Sequence, residues 1–456
     1  WGTSSASDSD RFHSYDRERG STGRKRKDHR DDTRPPATRS TRAVSSSQDI
    51  ALVEAHERYR SKRPRSAAAD GEARKVMPGG NTRSVLHFEP FPFRVATAEG
   101  PHLVDVDGNQ YVDLLGNYTA GLLGHSPTAV RRAVSAALET GFSLGATHTV
   151  EIEAARLLTE RFPSLEQVRF TNSGTEANLM ALALAKHHTG RERILAFRNG
   201  YHGGVLAFAP ESSPMNVPHD FVVVPFNDFE ATGDAFATAP GEIAAVIVEP
   251  VQGGGGCIPA APGFLAELRQ LCDQNGSVLI FDEVMTSRLA PGGAQELMSV
   301  LPDLTTLGKY LAGGLTFGAF GGRADLLSAF DPQLGGALSQ AGTFNNNILS
   351  MTAVVATLTE VLTTEAIRTV NERGDRLRES LNEIFEANEC QFQATGVGSM
   401  VAIHAEEPAL ELFFHEMLDN GWYIARRGFI ALSLEISDDL IDGFLSTVRT
   451  WASRQH

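Results

Sequence analysis

The stretch TTLGKYLAGGLTFGAFGG, residues 305–322, carries one charged side chain, Lys309, among glycines, small residues and apolar residues. Burying an ammonium group disfavours its charged form and lowers its pKa, so a lysine in that setting is either paired or reactive. The plain alternative is a stem lying along apolar surface with its head in water, the fate of most lysines. A reactive reading therefore needs partners elsewhere in the chain, and three stretches supply candidates. TNSGTEAN, 171–178, puts Ser173, Gly174 and Thr175 where a strand gives way to a helix. Free backbone amides, hydroxyl donors and the helix dipole at such a place suit an anion such as phosphate. The same stretch fits the capping box S-x-x-E, which accounts for Ser173 and Glu176 without any ligand. Asp282 follows the apolar run VLIF, and a carboxylate emerging from such a strand needs a cation or a donor; a protonated pyridine nitrogen is one. Tyr201 in NGYHGG offers a face for a heteroaromatic ring, with Gly203 and Gly204 allowing close approach, although ordinary packing explains the tyrosine by itself. A phosphate cradle, a stacking aromatic, a carboxylate for a ring nitrogen and an isolated lysine are together the parts that hold pyridoxal 5'-phosphate.

Elements must bring these parts together. From about residue 150 helical periodicity alternates with short apolar runs: EIEAARLLTERF, QVRF, EANLMALALAKHH, ILAF, AAVIVEP and SVLIFDEV. Such alternation implies parallel strands joined by crossover helices, an α/β architecture in which ligands sit at the carboxyl ends of the strands. Each strand here ends in polar or glycine-rich residues: TNSGT, NGYHGG, EPVQGGGG and Asp282 with Glu283. Four strand ends thus converge on one site. In GFLAELRQLCDQNG, Phe264, Leu268, Leu271 and Cys272 recur at helical spacing before a terminating Gly276, which makes Cys272 a core residue.

The bulk numbers narrow the class. A chain of 456 residues with 41 % hydrophobic content can bury one large core or two. Lys+Arg of 41 against Asp+Glu of 56, a formal charge of -15, argues against a general affinity for nucleic acid or anionic membrane. Cys257, Cys272 and Cys390 have neither metal-ligand nor redox spacing, which points to a reducing, cytoplasmic compartment. No apolar run approaches the roughly 18 residues of a membrane span. The chain opens on Trp1 rather than methionine, as a piece of a longer product would. Residues 1–48 are rich in Ser, Arg, Asp and Thr, too poor in aliphatic residues to offset the entropy of ordering, and are expected to form a disordered basic tail. The ArgLysArgLys run at 24–27 reads as a solvated charge run rather than a nucleic-acid patch, and Asp8, Asp10, Asp16, Asp28, Asp31 and Asp32 speak against a transit peptide.

TNSGTEAN, YHGG, EPVQGG, FDEVMTSR, TTLGKYLAGG and GTFNNN, in this order, resemble the class III pyridoxal-phosphate aminotransferases, in the branch containing glutamate-1-semialdehyde aminomutases and β-amino-acid (β-phenylalanine) aminotransferases. The resemblance spans about residues 76–450 and is strongest to the β-phenylalanine enzymes, through FDEVMTSRLAP, DLTTLGKY, FGAFGGRAD and GTFNNN. It implies fold type I of the pyridoxal-phosphate transferases. Residues 116–345 would form the large cofactor domain, 49–115 and 346–456 a smaller α+β domain built from both chain ends, and two chains a homodimer with shared active sites. It implies that Lys309 forms the internal Schiff base and then moves the proton between substrate carbon and cofactor C4', and that Asp282 keeps the pyridine nitrogen protonated. Ser173, Gly174 and Thr175 would bind the phosphate, Tyr201 and Val284 would cover the two ring faces, and Thr343 would reach the partner's phosphate. His202 and Glu249 lie in the motifs without an assigned role. The aminomutases read roughly Val-Asn-Ser-Pro-Val-Arg after ProGlyGly. Here MPGGNTRSVLHF sets Arg83 two residues after Asn81 with no intervening proline, as in the β-amino-acid enzymes, which also share the RGF of Arg427, Gly428 and Phe429. Arg83 and Arg427 are therefore candidates for substrate carboxylates, and Arg426 for a surface ion pair. The expected reaction moves an amino group from a β-amino acid to a 2-oxo acid. An aminomutase, or a non-catalytic relative using its tail to bind, are the alternatives; joint retention of Lys309 and Asp282 weighs against the latter.

Overall fold

Near residue 95 the chain begins an antiparallel meander of β1 Val95–Glu99, β2 His102–Asp105 and β3 Gln110–Asp113. This is a computed structural model, and it describes residues 47–208 and 213–455. The expected basic tail and its charge run at 24–27 lie outside those residues, except that Ser47 and Gln48 already open the helix Ser47–Lys62. The next strands are β4 Gln167–Thr171, β5 Arg193–Phe197, β6 Asp220–Val224, β7 Ile243–Val248, the short pair β8 Val251–Gln252 and β9 Ile258–Pro259, then β10 Val278–Asp282, β11 Leu304–Gly308 and β12 Gly318–Gly322. Seven of them form one sheet in the order β4-β12-β11-β10-β7-β5-β6. Only β12 runs against its neighbours; β10, β11, β7, β5 and β6 pair in parallel, as the alternating pattern implies.

The central strands read as unbroken apolar runs because both faces are covered. IAAVIV of β7 and VLIFD of β10 are buried throughout. Alternate residues then serve opposite faces: Ile194, Ala196, Ile247 and Ile280 pack with Ala181, Leu182 and Ala185 of the helix Gly174–Thr189. Leu195, Phe197, Val246 and Phe281 pack with Phe264, Leu268 and Cys272 of the helix Phe264–Asn275. That second helix ends on Gly276 in the left-handed conformation, where the sequence places its stop.

The remaining strands are β13 Gln393–Val397, β14 Met400–His404, β15 Trp422–Tyr423 and β16 Phe429–Ala431. β13, β14 and β16 form an antiparallel sheet, whereas β15 joins the first meander by parallel pairing with β3, Trp422 opposite Val112. All described residues fall within one compact unit, Ser45–His456. Among them no single helix is long and apolar enough to cross a membrane. The one bent pair that passes by length and composition, Ile348–Val361 with Thr364–Ala387, turns by 81° and spends Val354, Ile367, Val370 and Leu377 on the core.

Candidate active site

The carboxyl ends of β4, β5, β7, β10 and β11 deliver the residues singled out above. β4 ends at Thr171, and Ser173 caps the helix Gly174–Thr189 by accepting from the Glu176 amide at 3.2 Å. The other half of the capping box is displaced: the Glu176 carboxylate accepts from the Asn172 amide and side chain at 3.0 and 3.1 Å, not from the amide of Ser173. The Gly174 and Thr175 amides, first in the helix, have no acceptor among the described residues, so the helix presents two open donors and its positive end. Gly174 must be glycine here, because a Cβ would sit 2.7 Å from Val284 Cγ2. Gly203, at φ +125°, brings the Tyr201 loop so close that its Cβ would meet Thr175 Oγ1 at 2.2 Å. Ser173, Gly174, Thr175, Val284 and the Tyr201 loop are therefore neighbours.

Asp282, last residue of β10, is buried and fully bonded. Its Oδ2 accepts from Asn178 Nδ2 and from His202 Nδ1, both at 2.8 Å, and its Oδ1 accepts from the Val284 amide at 3.0 Å. Burial pushes its pKa up, but the bond and charge of His202, the Val284 amide and the charge of Lys309 outweigh that and hold it below the usual carboxylate range. Asn178 is fixed in turn, accepting from Thr306 Oγ1 at 2.6 Å while donating to the His202 carbonyl. The site thus maintains a buried anion, which suits a carboxylate facing a protonated pyridine nitrogen. His202 gains the role that its motif left open.

Glu249, after β7, is buried and accepts from the Tyr201 amide at 2.9 Å and the Gly253 amide at 3.2 Å. Burial lifts its carboxyl to about 7, against the pull of His202. Its visible work is to hold the Tyr201 and Gly253 loops together. Tyr201 itself is 49 % exposed, an open aromatic face rather than core packing.

Lys309 follows β11 with φ +52°, a conformation that costs an ordinary side chain about 1–2 kcal/mol and that clusters at functional sites. Its ammonium nitrogen has neither hydrogen bond nor ion pair among the described residues. Burial lowers its pKa to about 8, with the charges of Asp282 and Glu249 opposing the shift.

Both candidate arginines approach Tyr118. Arg83 Nη1 donates to Asn117 Oδ1 at 2.6 Å. Arg427 lies with its Cζ 5.3 Å from the Tyr118 ring centroid and donates to the Gly254 carbonyl at 3.3 Å. Burial raises the Tyr118 hydroxyl, and the charges of Arg427 and Arg83 both oppose this. The platform is a turn in which Gly116, Asn117, Tyr118 and Thr119 all have positive φ; no pattern in the sequence marked it. Arg426 pairs with Glu407 and Glu411 at 3.0 and 3.3 Å, the surface role expected of it. Thr343 is the residue not brought to this site: it is exposed and shares a hollow with residues 142–147 and Phe344. Its loop is hydrogen-bonded to the phosphate turn through Asn345, whose Oδ1 accepts from Asn172 at 2.9 Å.

A sheet of this order with a lysine, a bonded aspartate and open helix amides at its strand ends defines a pyridoxal-phosphate enzyme, and residues 87–450 match the family model "Aminotransferase class-III". The chain belongs to that family and is a pyridoxal-phosphate-dependent transaminase that uses an amino donor and a keto acid. A β-phenylalanine transaminase of Variovorax paradoxus is 45 % identical over 414 residues, covering 88 % of this chain and 95 % of that protein. A crystal structure of a β-phenylalanine aminotransferase from the same organism superposes with a TM-score of 0.87 at 44 % identity, over 89 % of this chain and 97 % of the other. A transaminase solved with pyridoxal phosphate bound gives 0.81 at 31 % identity, over 86 % and 97 %. A glutamate-1-semialdehyde aminomutase of Pseudomonas aeruginosa gives 0.81 at 25 %, over 88 % and 97 %.

Proposed function

We propose that this aminotransferase takes the amino group of an aromatic or aliphatic β-amino acid, such as β-phenylalanine, and passes it to a 2-oxo acid such as 2-oxoglutarate or pyruvate, leaving a β-keto acid. The observation that carries this reading is the convergence of Arg83 and Arg427 on Tyr118, with Arg83 also within electrostatic reach of Lys309. Two fixed guanidinium groups give each of two carboxylate substrates a bidentate partner, one for the donor and either for the acceptor. The name borne by the 45 % identical relative supports the same donor class.

The residues take the following roles. Ser173, with the Gly174 and Thr175 amides, holds the phosphate at the helix start; Tyr201 and Val284 cover the ring; Asp282, set by Asn178 and His202, keeps a proton on the ring nitrogen. Bound pyridoxal phosphate supplies an electron sink for the carbon that loses or gains a proton. Lys309 Nζ would anchor the cofactor and, as a free amine, would carry the proton at that carbon. A side chain with a pKa of about 8 exchanges protons readily near neutral pH. Thr343 we assign to the phosphate of the second subunit in a homodimer. The division into a large domain of 116–345 and a small one of 49–115 with 346–456 has support in the pairing of β15 with β3, which links the two chain ends.

A single-turnover donor panel, following loss of the pyridoxal absorption band, tests the proposal. β-Amino acids should discharge the band fastest, and Arg83→Ala should raise KM strongly for donors bearing a carboxylate while sparing amines without one. Equal losses on both donor kinds remove Arg83 from the substrate site, and efficient turnover of glutamate-1-semialdehyde favours an aminomutase instead.

A further inference from the structure

The helices Ser47–Lys62 and Ala409–Asp419 lie together, tied at one point by Arg58 and Lys62 reaching Asp419 at 3.4 and 3.0 Å. On the same seam His56 of the first helix meets Glu411 and His415 of the second, whose spacing of four puts them on one helix face. One donor atom from each of the three lies within 4.8 Å of the others, and His56 Nε2 stands 3.5 Å from Glu411 Oε1. His415 is 2 % exposed, yet neither of its ring nitrogens has a hydrogen-bond partner among the described residues, nor has His56 Nε2. Leaving both ring nitrogens of a buried histidine unpartnered costs free energy that a native fold does not ordinarily forgo. Glu411 is meanwhile oriented from behind: its Oε2 accepts from Arg426 Nη1 at 3.3 Å, which turns Oε1 toward the imidazoles. A carboxylate steadied by an outer partner while its second oxygen faces two histidines is the arrangement of a metal ligand.

We propose that His56, Glu411 and His415 bind one divalent transition-metal ion of the zinc class. Two imidazole nitrogens and one carboxylate oxygen suit zinc, cobalt or nickel and disfavour calcium and magnesium, which prefer all-oxygen shells. Bonds of about 2.1 Å require the three donors to close from their 4.8 Å spread to within about 4 Å of one another. His56 and Glu411 keep 17 % and 14 % of their side-chain surface exposed, which leaves an entry path and a position for water. None of the three residues takes part in the Lys309 site. The ion therefore acts as a clasp between the two helices, not as a catalyst.

The test uses the full-length holoenzyme, treated with chelator, dialysed against micromolar zinc chloride and then against buffer, with elemental analysis and thermal unfolding as readouts. One zinc should be retained per chain, the unfolding temperature should rise by several degrees, and transamination should be unchanged. Both gains should vanish in His415→Gln and in the more exposed His56→Gln, which reports even where the buried change fails to fold. No retained zinc in the wild-type protein, or equal retention by the variants, overturns the proposal.

Discussion

Asp282 sits where burial would neutralise a carboxyl, and three donors keep it ionised. The substitution Asp282→Asn preserves size and should leave the fold intact, but an amide cannot hold a proton on the ring nitrogen, so the turnover rate should fall by several orders of magnitude. Steady-state kinetics beside a thermal melt checks this, and near-normal turnover would mean that the ring nitrogen lies elsewhere. Lys309 yields a pH prediction. Its pKa is lowered from 10.5 to about 8, and only the neutral amine attacks a carbonyl. The rate of cofactor capture by the cofactor-free enzyme should therefore rise with pH and level off above about 8; a rate still climbing toward the ordinary lysine value would contradict the burial argument. The placement of Lys309, Asp282 and Ser173 at the ends of strands was legible from type and setting alone. Asn178 and His202 were not legible as partners of Asp282, because those bonds join positions 104 and 80 residues apart, which no local pattern encodes.

At the scale of elements, the alternation of apolar runs and helical stretches gave the parallel strands and the helices between them, since burial on both sheet faces leaves a continuous apolar signature. The strand β12 escaped that reading. GAFGG lacks the β-branched residues that mark a strand, and its antiparallel entry between β4 and β11 depends on long-range pairing. The loop that seats Tyr201 against the start of the helix Gly174–Thr189 yields a prediction at this scale. Gly203→Ala places a methyl 2.2 Å from Thr175 Oγ1 at φ +125°. Strain of about 1–3 kcal/mol should part the two segments, weakening pyridoxal phosphate binding by about tenfold or more in a fluorescence titration. Unchanged affinity would show that this contact does not shape the phosphate site.

At the scale of the molecule, Thr343 lies in a hollow flanked by Phe142, Leu144 and Phe344, which are 57, 43 and 63 % exposed. Exposed apolar residues gathered beside the GTFNNN loop are what the proposed homodimer would cover. Sedimentation at assay concentration should find a homodimer, and an active monomer would refute the shared site. The claim on which everything else depends is that Lys309 is the amine that holds the cofactor. Borohydride reduction of the pyridoxal-phosphate-loaded enzyme, followed by proteolysis and mass spectrometry, measures it directly. A pyridoxyl mass should appear on the peptide containing Lys309 and on no other lysine; a label elsewhere, or none, would show that Lys309 does not hold the cofactor.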